Sequence, residues 1–80
     1  MEKDFNVLQE PENFQYSIAK STTNLDVLDS LANSPSDLVR ITAVDNPAIR
    51  TETLKEKADD EDVGVRWKTY EALRKRGVQV

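Results

Sequence analysis

Four consecutive carboxylates, Asp59, Asp60, Glu61 and Asp62, and two arginines 26 residues apart, Arg40 and Arg66, are the side chains of this 80-residue chain best suited to chemistry. A run of acids suggests a hard cation, because Ca²⁺ takes several oxygen ligands. This run lacks the alternating acids, central Gly and distal Glu of a calcium loop. Its place just ahead of a helical pattern reads instead as helix capping, where the dipole favours negative charge. Paired arginines suggest an anion, or a pair of structural bridges. Trp67 and Tyr70, three residues apart, suggest an aromatic anchor for a partner. Neither His nor Cys is present. Acid–base work would therefore fall to a carboxylate, Lys or Tyr of perturbed pKa, and thiolate, disulfide or cysteine-metal chemistry is excluded. Two glycines build no phosphate-cradling loop. No enzymatic activity, cofactor or metal is expected.

The bulk composition describes the scaffold that must hold these groups. Eighty residues make one domain, and at this size only about 60% of the unfolded chain's surface can be buried. With 38% hydrophobic and 32% charged residues the chain reads as folded and soluble. No apolar run approaches the roughly 20 residues of a membrane span, and the acidic amino terminus does not read as a signal peptide. A reducing, cytoplasmic setting is the expectation. The net charge of −4 is uneven: residues 1–40 carry three basic and seven acidic side chains, residues 41–80 eight of each. Arg66, Lys68, Arg74, Lys75 and Arg76 cluster near the end. Cations there complement the carboxyl end of a helix dipole; the alternative is a nucleic-acid patch, against which the overall charge has the wrong sign.

One apolar pattern recurs from Phe14, Val39 and Val65. At about 100° per residue the starting position and the one four later coincide: Phe14 with Ile18, Val39 with Ala43, Val65 with Thr69. Positions two and five later make a second apolar strip: Tyr16 with Ala19, Ile41 with Val44, Trp67 with Tyr70. Polar residues fill the remaining arc, Ser17 and Lys20, Thr42 and Asp45, Lys68 and Glu71, with Lys75 further along. An ordinary surface helix has one apolar stripe. Two stripes require neighbours on both sides, which is what stacking supplies. Shorter helices are expected over Leu25–Asn33, capped by Asn24, and over Glu52–Ala58, capped by Thr51. Ser34 ahead of Pro35 reads as a further cap, and Asn46-Pro47 and Gly77 as helix ends. Residues 1–12 fit the repeat poorly; Phe5, Val7 and Leu8 are apolar enough to form a partial lid.

Between the two apolar strips sits the residue after each starting position: Gln15, Arg40, Arg66. A guanidinium there is partly dehydrated and needs carboxylate or carbonyl partners. Asp37, Asp60 and Asp62 lie at neighbouring helix starts, so Arg40 and Arg66 are expected to tie one repeat to the next, while Gln15 leaves the first repeat without a charged bridge. Trp67 and Tyr70 are expected to pack against the previous repeat.

The stretch from Asp60 to Arg66, followed by Ala72-Leu73 and Gly77, resembles a HEAT-like repeat: acids before Val-Arg, then Ala-Leu, then Gly. Leu31-Ala32, Ser34-Pro35-Ser36, Val39-Arg40 and Asn46-Pro47 are similar to the variant leucine-rich repeat. Thr69, Tyr70 and Lys57 depart from those patterns. The resemblance implies a helical scaffold with protein contacts and no specific activity. It leads to an all-α fold, a short right-handed α-solenoid of about two and a half helix-turn-helix repeats. Its repeats fall at roughly 13–20, 24–46 and 51–77 within a single domain, 1–80. The expected partner is another protein, met on the strip Ser17, Lys20, Thr42, Asp45, Lys68, Glu71 and Lys75. A nucleic-acid-binding module using the basic last helix is the alternative. The expected state is a monomer or a weak end-to-end homodimer.

Overall fold

A computed structural model describes residues 6–79 of the chain. Five helices follow a 3₁₀ turn at Val7–Gln9: α1 (Glu12–Ser21), α2 (Leu25–Leu31), α3 (Asp37–Asp45), α4 (Thr51–Lys57) and α5 (Val63–Lys75). No strand occurs among the described residues. The fold is all-helical.

Local chemistry sets most of the helix ends. The side chains of Asn24, Ser36 and Asp62 accept from the backbone N–H groups of Val27, Val39 and Val65, each satisfying an orphan donor of the first turn. Two of the expected caps are placed differently. Ser36, not Ser34, caps α3; Ser34 is buried and turned towards α1. Helix α4 begins at Thr51, with Arg50 as a cap whose side chain makes no bond to the helix's own first turn. The Thr51 hydroxyl instead accepts from Arg76. At the far end Gly77 adopts φ +79°, the left-handed conformation glycine takes without Cβ strain. Val78 N–H then donates to Leu73 C=O and Gly77 N–H to Arg74 C=O, a Schellman closure of α5.

Helix α3 packs against both α1 and α5, so the three long helices lie as successive neighbours. Helix α2 meets α1, α3 and the 3₁₀ turn, and α4 meets α5. The core runs through Leu28, Leu31, Val39, Val44, Leu54, Val65 and Leu73, each at most 1% exposed. Val7 joins it and Leu8 packs on it from the 3₁₀ turn; the Phe5 part of the expected lid lies outside the described residues.

Burial of the two apolar strips follows the neighbours. On the middle helix both are covered: Val39 and Ala43 on one, Ile41 and Val44 on the other. Each outer helix leaves one strip partly bare, Phe14 at 45% exposure on α1 and Trp67 at 64% on α5. The expectation that Trp67 packs against the previous repeat is thus incorrect. Its counterpart Ile41 approaches α5 so closely that a Cβ built on Gly64 would lie 3.0 Å from Ile41 Cδ1. The position faces the following helix, and beyond α5 none follows among the described residues. Tyr70 is half-buried and donates its hydroxyl to Ala58 C=O.

One core position is chemically mismatched. Thr69 is fully buried where α3 has Ala43, and its hydroxyl has no hydrogen-bond partner among the described residues. Leaving such a group unpaired costs about 1–3 kcal/mol. Thr69→Val keeps the shape and removes the hydroxyl. It is expected to raise the melting temperature by about 4–8 °C, as a gain near 1 kcal/mol does in a domain of this size. An unchanged or lower midpoint would mean that the hydroxyl is satisfied.

Candidate functional site

Links between neighbouring elements concentrate where the helices start. Arg40 is 7% exposed and grips Asp60 with two donors, Nε to Oδ2 at 3.1 Å and Nη2 to Oδ1 at 3.3 Å. Its third nitrogen, Nη1, donates to the carbonyls of Ser34 at 2.8 Å and Pro35 at 3.3 Å, in the turn before its own helix. The guanidinium therefore satisfies two turns at once, a task its planar fork of donors suits. Asp60 is 5% exposed at its side chain. Burial pushes its carboxyl up, but the Asp62 N–H, the Arg40 guanidinium and Lys57 outweigh that and hold it below the usual carboxylate range. Asp37 was an equal candidate for Arg40. It stands exposed in the first turn of α3 and forms no ion pair among the described residues.

The same position on α1 carries a neutral version of the link. Gln15 Nε2 donates to the carbonyls of Glu10 at 2.8 Å and Leu8 at 3.3 Å, and its Oε1 accepts from Ser34 Oγ at 2.7 Å. Counting six residues back from Arg40 and from Arg66 reaches Ser34 and Asp60, so the two links use equivalent positions. Helix α1 is thus bridged to the turn before α3 after all, by an amide and a hydroxyl. Arg66 repeats only half of the pattern. Its Nη1 donates to the carbonyls of Asp60 at 2.7 Å and Glu61 at 3.2 Å, and it reaches no carboxylate among the described residues. The acid run is thereby accounted for: Asp60 serves the previous helix, Asp62 caps α5, and Asp59 and Glu61 stay exposed. Among the described residues no three acids converge as a metal site.

Three further links are not anticipated from the sequence, although Asn46 reads there as a helix end and Arg76 as part of the basic cluster. Arg50 reaches Asp29 and Asp26, each at 2.9 Å, and Thr53 donates to Asp29 at 2.6 Å, tying α4 to α2. Buried Asn46 donates through Nδ2 to the carbonyls of Ala19 and Thr22, both at 2.9 Å, satisfying the carboxyl end of α1. Arg76 does a similar service for the segment after α3, donating to Ile49 C=O at 2.7 Å and Pro47 C=O at 3.1 Å. Spacing near one repeat length was the available signal for all three.

The polar strip is brought together in part. Lys68 lies 3.5 Å from Glu71 and 3.9 Å from Asp45 across the α3–α5 contact. Asp45, Glu71 and Lys75 rim an open depression of about 320 Å³ floored by Val44 and Ala72. Thr42 spends its hydroxyl on Leu38 C=O. Ser17 and Lys20 are exposed on α1, the Lys20 ammonium 5.5 Å from the centre of the Tyr16 ring. A larger open groove of about 840 Å³ runs along the helix starts, rimmed by Glu12, Ser36, Asp37, Glu61 and Asp62. No described helix is long and apolar enough to cross a membrane.

What this arrangement offers chemically is a firm polar surface of fixed spacing, with its strongest charges already paired. Compared with family models, curated proteins and solved structures, the chain finds no match in any of the three.

Proposed function

We propose that the chain is a short right-handed α-solenoid of HEAT-like, variant leucine-rich-repeat character, acting as a non-catalytic protein-interaction module. The single observation that carries this reading is the link made twice at equivalent positions, Gln15 to Ser34 and Arg40 to Asp60. Recurrent links between neighbouring units are how a repeat array fixes its register, and an array so fixed presents its polar arc as a continuous strip. The docking surface in this reading is the arc that includes Asp45, Lys68, Glu71 and Lys75. A cytoplasmic setting accompanies it.

Occupancy of the basic side chains favours a protein over a nucleic acid. Arg66 and Arg76 donate to backbone carbonyls, and Lys68 sits between two carboxylates. Lys68 is thus paired with acids and Arg76 is spent on carbonyls, while the net charge of −4 has the wrong sign for phosphates. The chain used as bait at physiological salt is expected to retain a protein partner that Lys68→Glu with Lys75→Glu releases. A gel shift with mixed DNA and RNA at low salt is expected to show no retarded band. A band whose affinity falls steeply with salt, or a partner indifferent to both reversals, would overturn this reading.

A further inference from the structure

Building on the interaction-module reading, we infer that the outward flank of α5, centred on Arg66 and Trp67, is a docking surface for a protein segment in which an acidic turn leads into a helix. Trp67 at 64% and Val63 at 69% are the most exposed large apolar side chains among the described residues. Single exposed apolar residues need no explanation. These two have one, because the chain shows what covers the same place one repeat earlier. There Ile41 abuts the backbone of α5 at Gly64, and Arg40 clasps the Asp60 carboxylate in the turn that precedes α5. The occupant is an acidic turn followed by a helix with a small residue in its first turn.

Arg66 is held ready for the same clasp. Its Nη1 bonds the carbonyls six and five residues back, as Arg40 Nη1 does. That leaves Nε and Nη2, the two donors Arg40 gives to Asp60, without a hydrogen-bond partner among the described residues. Ala58, the counterpart of fully buried Ala32, is only half-buried, and an open groove of about 530 Å³ runs past it between Lys55, Tyr70 and Leu73. A fork of unused donors beside an exposed indole calls for a carboxylate and an apolar helix face together. A second copy is the poorer occupant. Stacked end to end it would bring Gln9 to the register of Asp60 and Asn13 to that of Gly64, an uncharged amide and a bulkier polar side chain.

The probe is a synthetic peptide of residues 50–79 carrying Trp67→Phe, titrated into the full chain, whose sole tryptophan reports. A saturable blue shift is expected, weakened at least tenfold by Arg66→Gln in the chain or by Asp60→Asn in the peptide. Because the peptide has to fold as it binds, a second arm appends residues 51–79 with Trp67→Phe after Arg76 of the full chain. There Trp67 is expected to emit as a buried indole, and Asp60→Asn in the appended copy is expected to restore quenching by acrylamide. An indole still exposed in the extended chain overturns the inference. So does a peptide shift indifferent to both substitutions, or a concentration-dependent shift with a dimer mass and no peptide, which would give the flank to a second copy. Failure here with a native partner still released by Lys68→Glu and Lys75→Glu removes this flank alone and leaves the interaction reading standing.

Discussion

Alanine at Arg40 is expected to destabilise the chain by about 3–5 kcal/mol, the loss seen when one partner of a buried ion pair is removed. Total stability for a domain of this size is only about 4–12 kcal/mol, so much of the population would be unfolded under mild denaturant. The reason lies less in the lost attraction than in what is stranded. Asp60, 5% exposed at its side chain in the intact protein, would lose its main counter-ion, and the carbonyls of Ser34 and Pro35 would lose their donor. Removing both charges, as Arg40→Met with Asp60→Leu, is expected to recover most of the loss, because an apolar pair strands nothing. Urea midpoints for the two single variants and the double variant decide the matter. An Arg40→Ala midpoint close to that of the wild type would mean the pair is solvated and the link weak.

The same pair predicts a pH response with a definite sign. Asp60 is held below its ordinary value in the folded chain, so the folded state favours the ionised form. Its contribution is complete above the unfolded value of about 3.9 and is lost as pH falls through the lower folded value. Wild-type stability is therefore expected to drop as pH falls below about 4, with a shallower drop in Asp60→Asn. Equal slopes would mean that Asp60 titrates alike in both states.

Leu28→Ala is the other large effect, about 2–5 kcal/mol. Leu28 is completely buried on a seven-residue helix that meets α1, α3 and the 3₁₀ turn. A void at a fully buried position closes only in part as its surroundings relax, so the loss combines transfer and void. Thermal melting should show a fall several times that of Trp67→Ala, whose side chain is 64% exposed and whose replacement should lie within about 0.5 kcal/mol of neutral. Comparable melting of the two variants would place the core elsewhere.

Much of this architecture is written in short-range pattern. The periodic apolar positions from Phe14, Val39 and Val65 specify where helices form and that the middle one needs cover on two sides. Asn24, Asp62 and Gly77 mark ends because a cap or a left-handed residue acts on neighbours a few positions away. An arginine set between two apolar strips also announces a dehydrated guanidinium in need of partners. Which partner it takes is not a local property. Asp37 and Asp60 are equally acidic on paper, yet only packing of α5 on α3 carries Asp60 to Arg40. Likewise, Thr51 looks like a cap until Arg76 arrives from 25 residues away. Gln15 looks like a missing bridge until Ser34 meets it. Trp67 is apolar at an apolar position, and only the lack of a following helix among the described residues leaves it in water. Propensity and periodicity are read within a turn or two of chain. Pairing and exposure depend on bodies brought together over about a repeat length, and tertiary contact alone decides them.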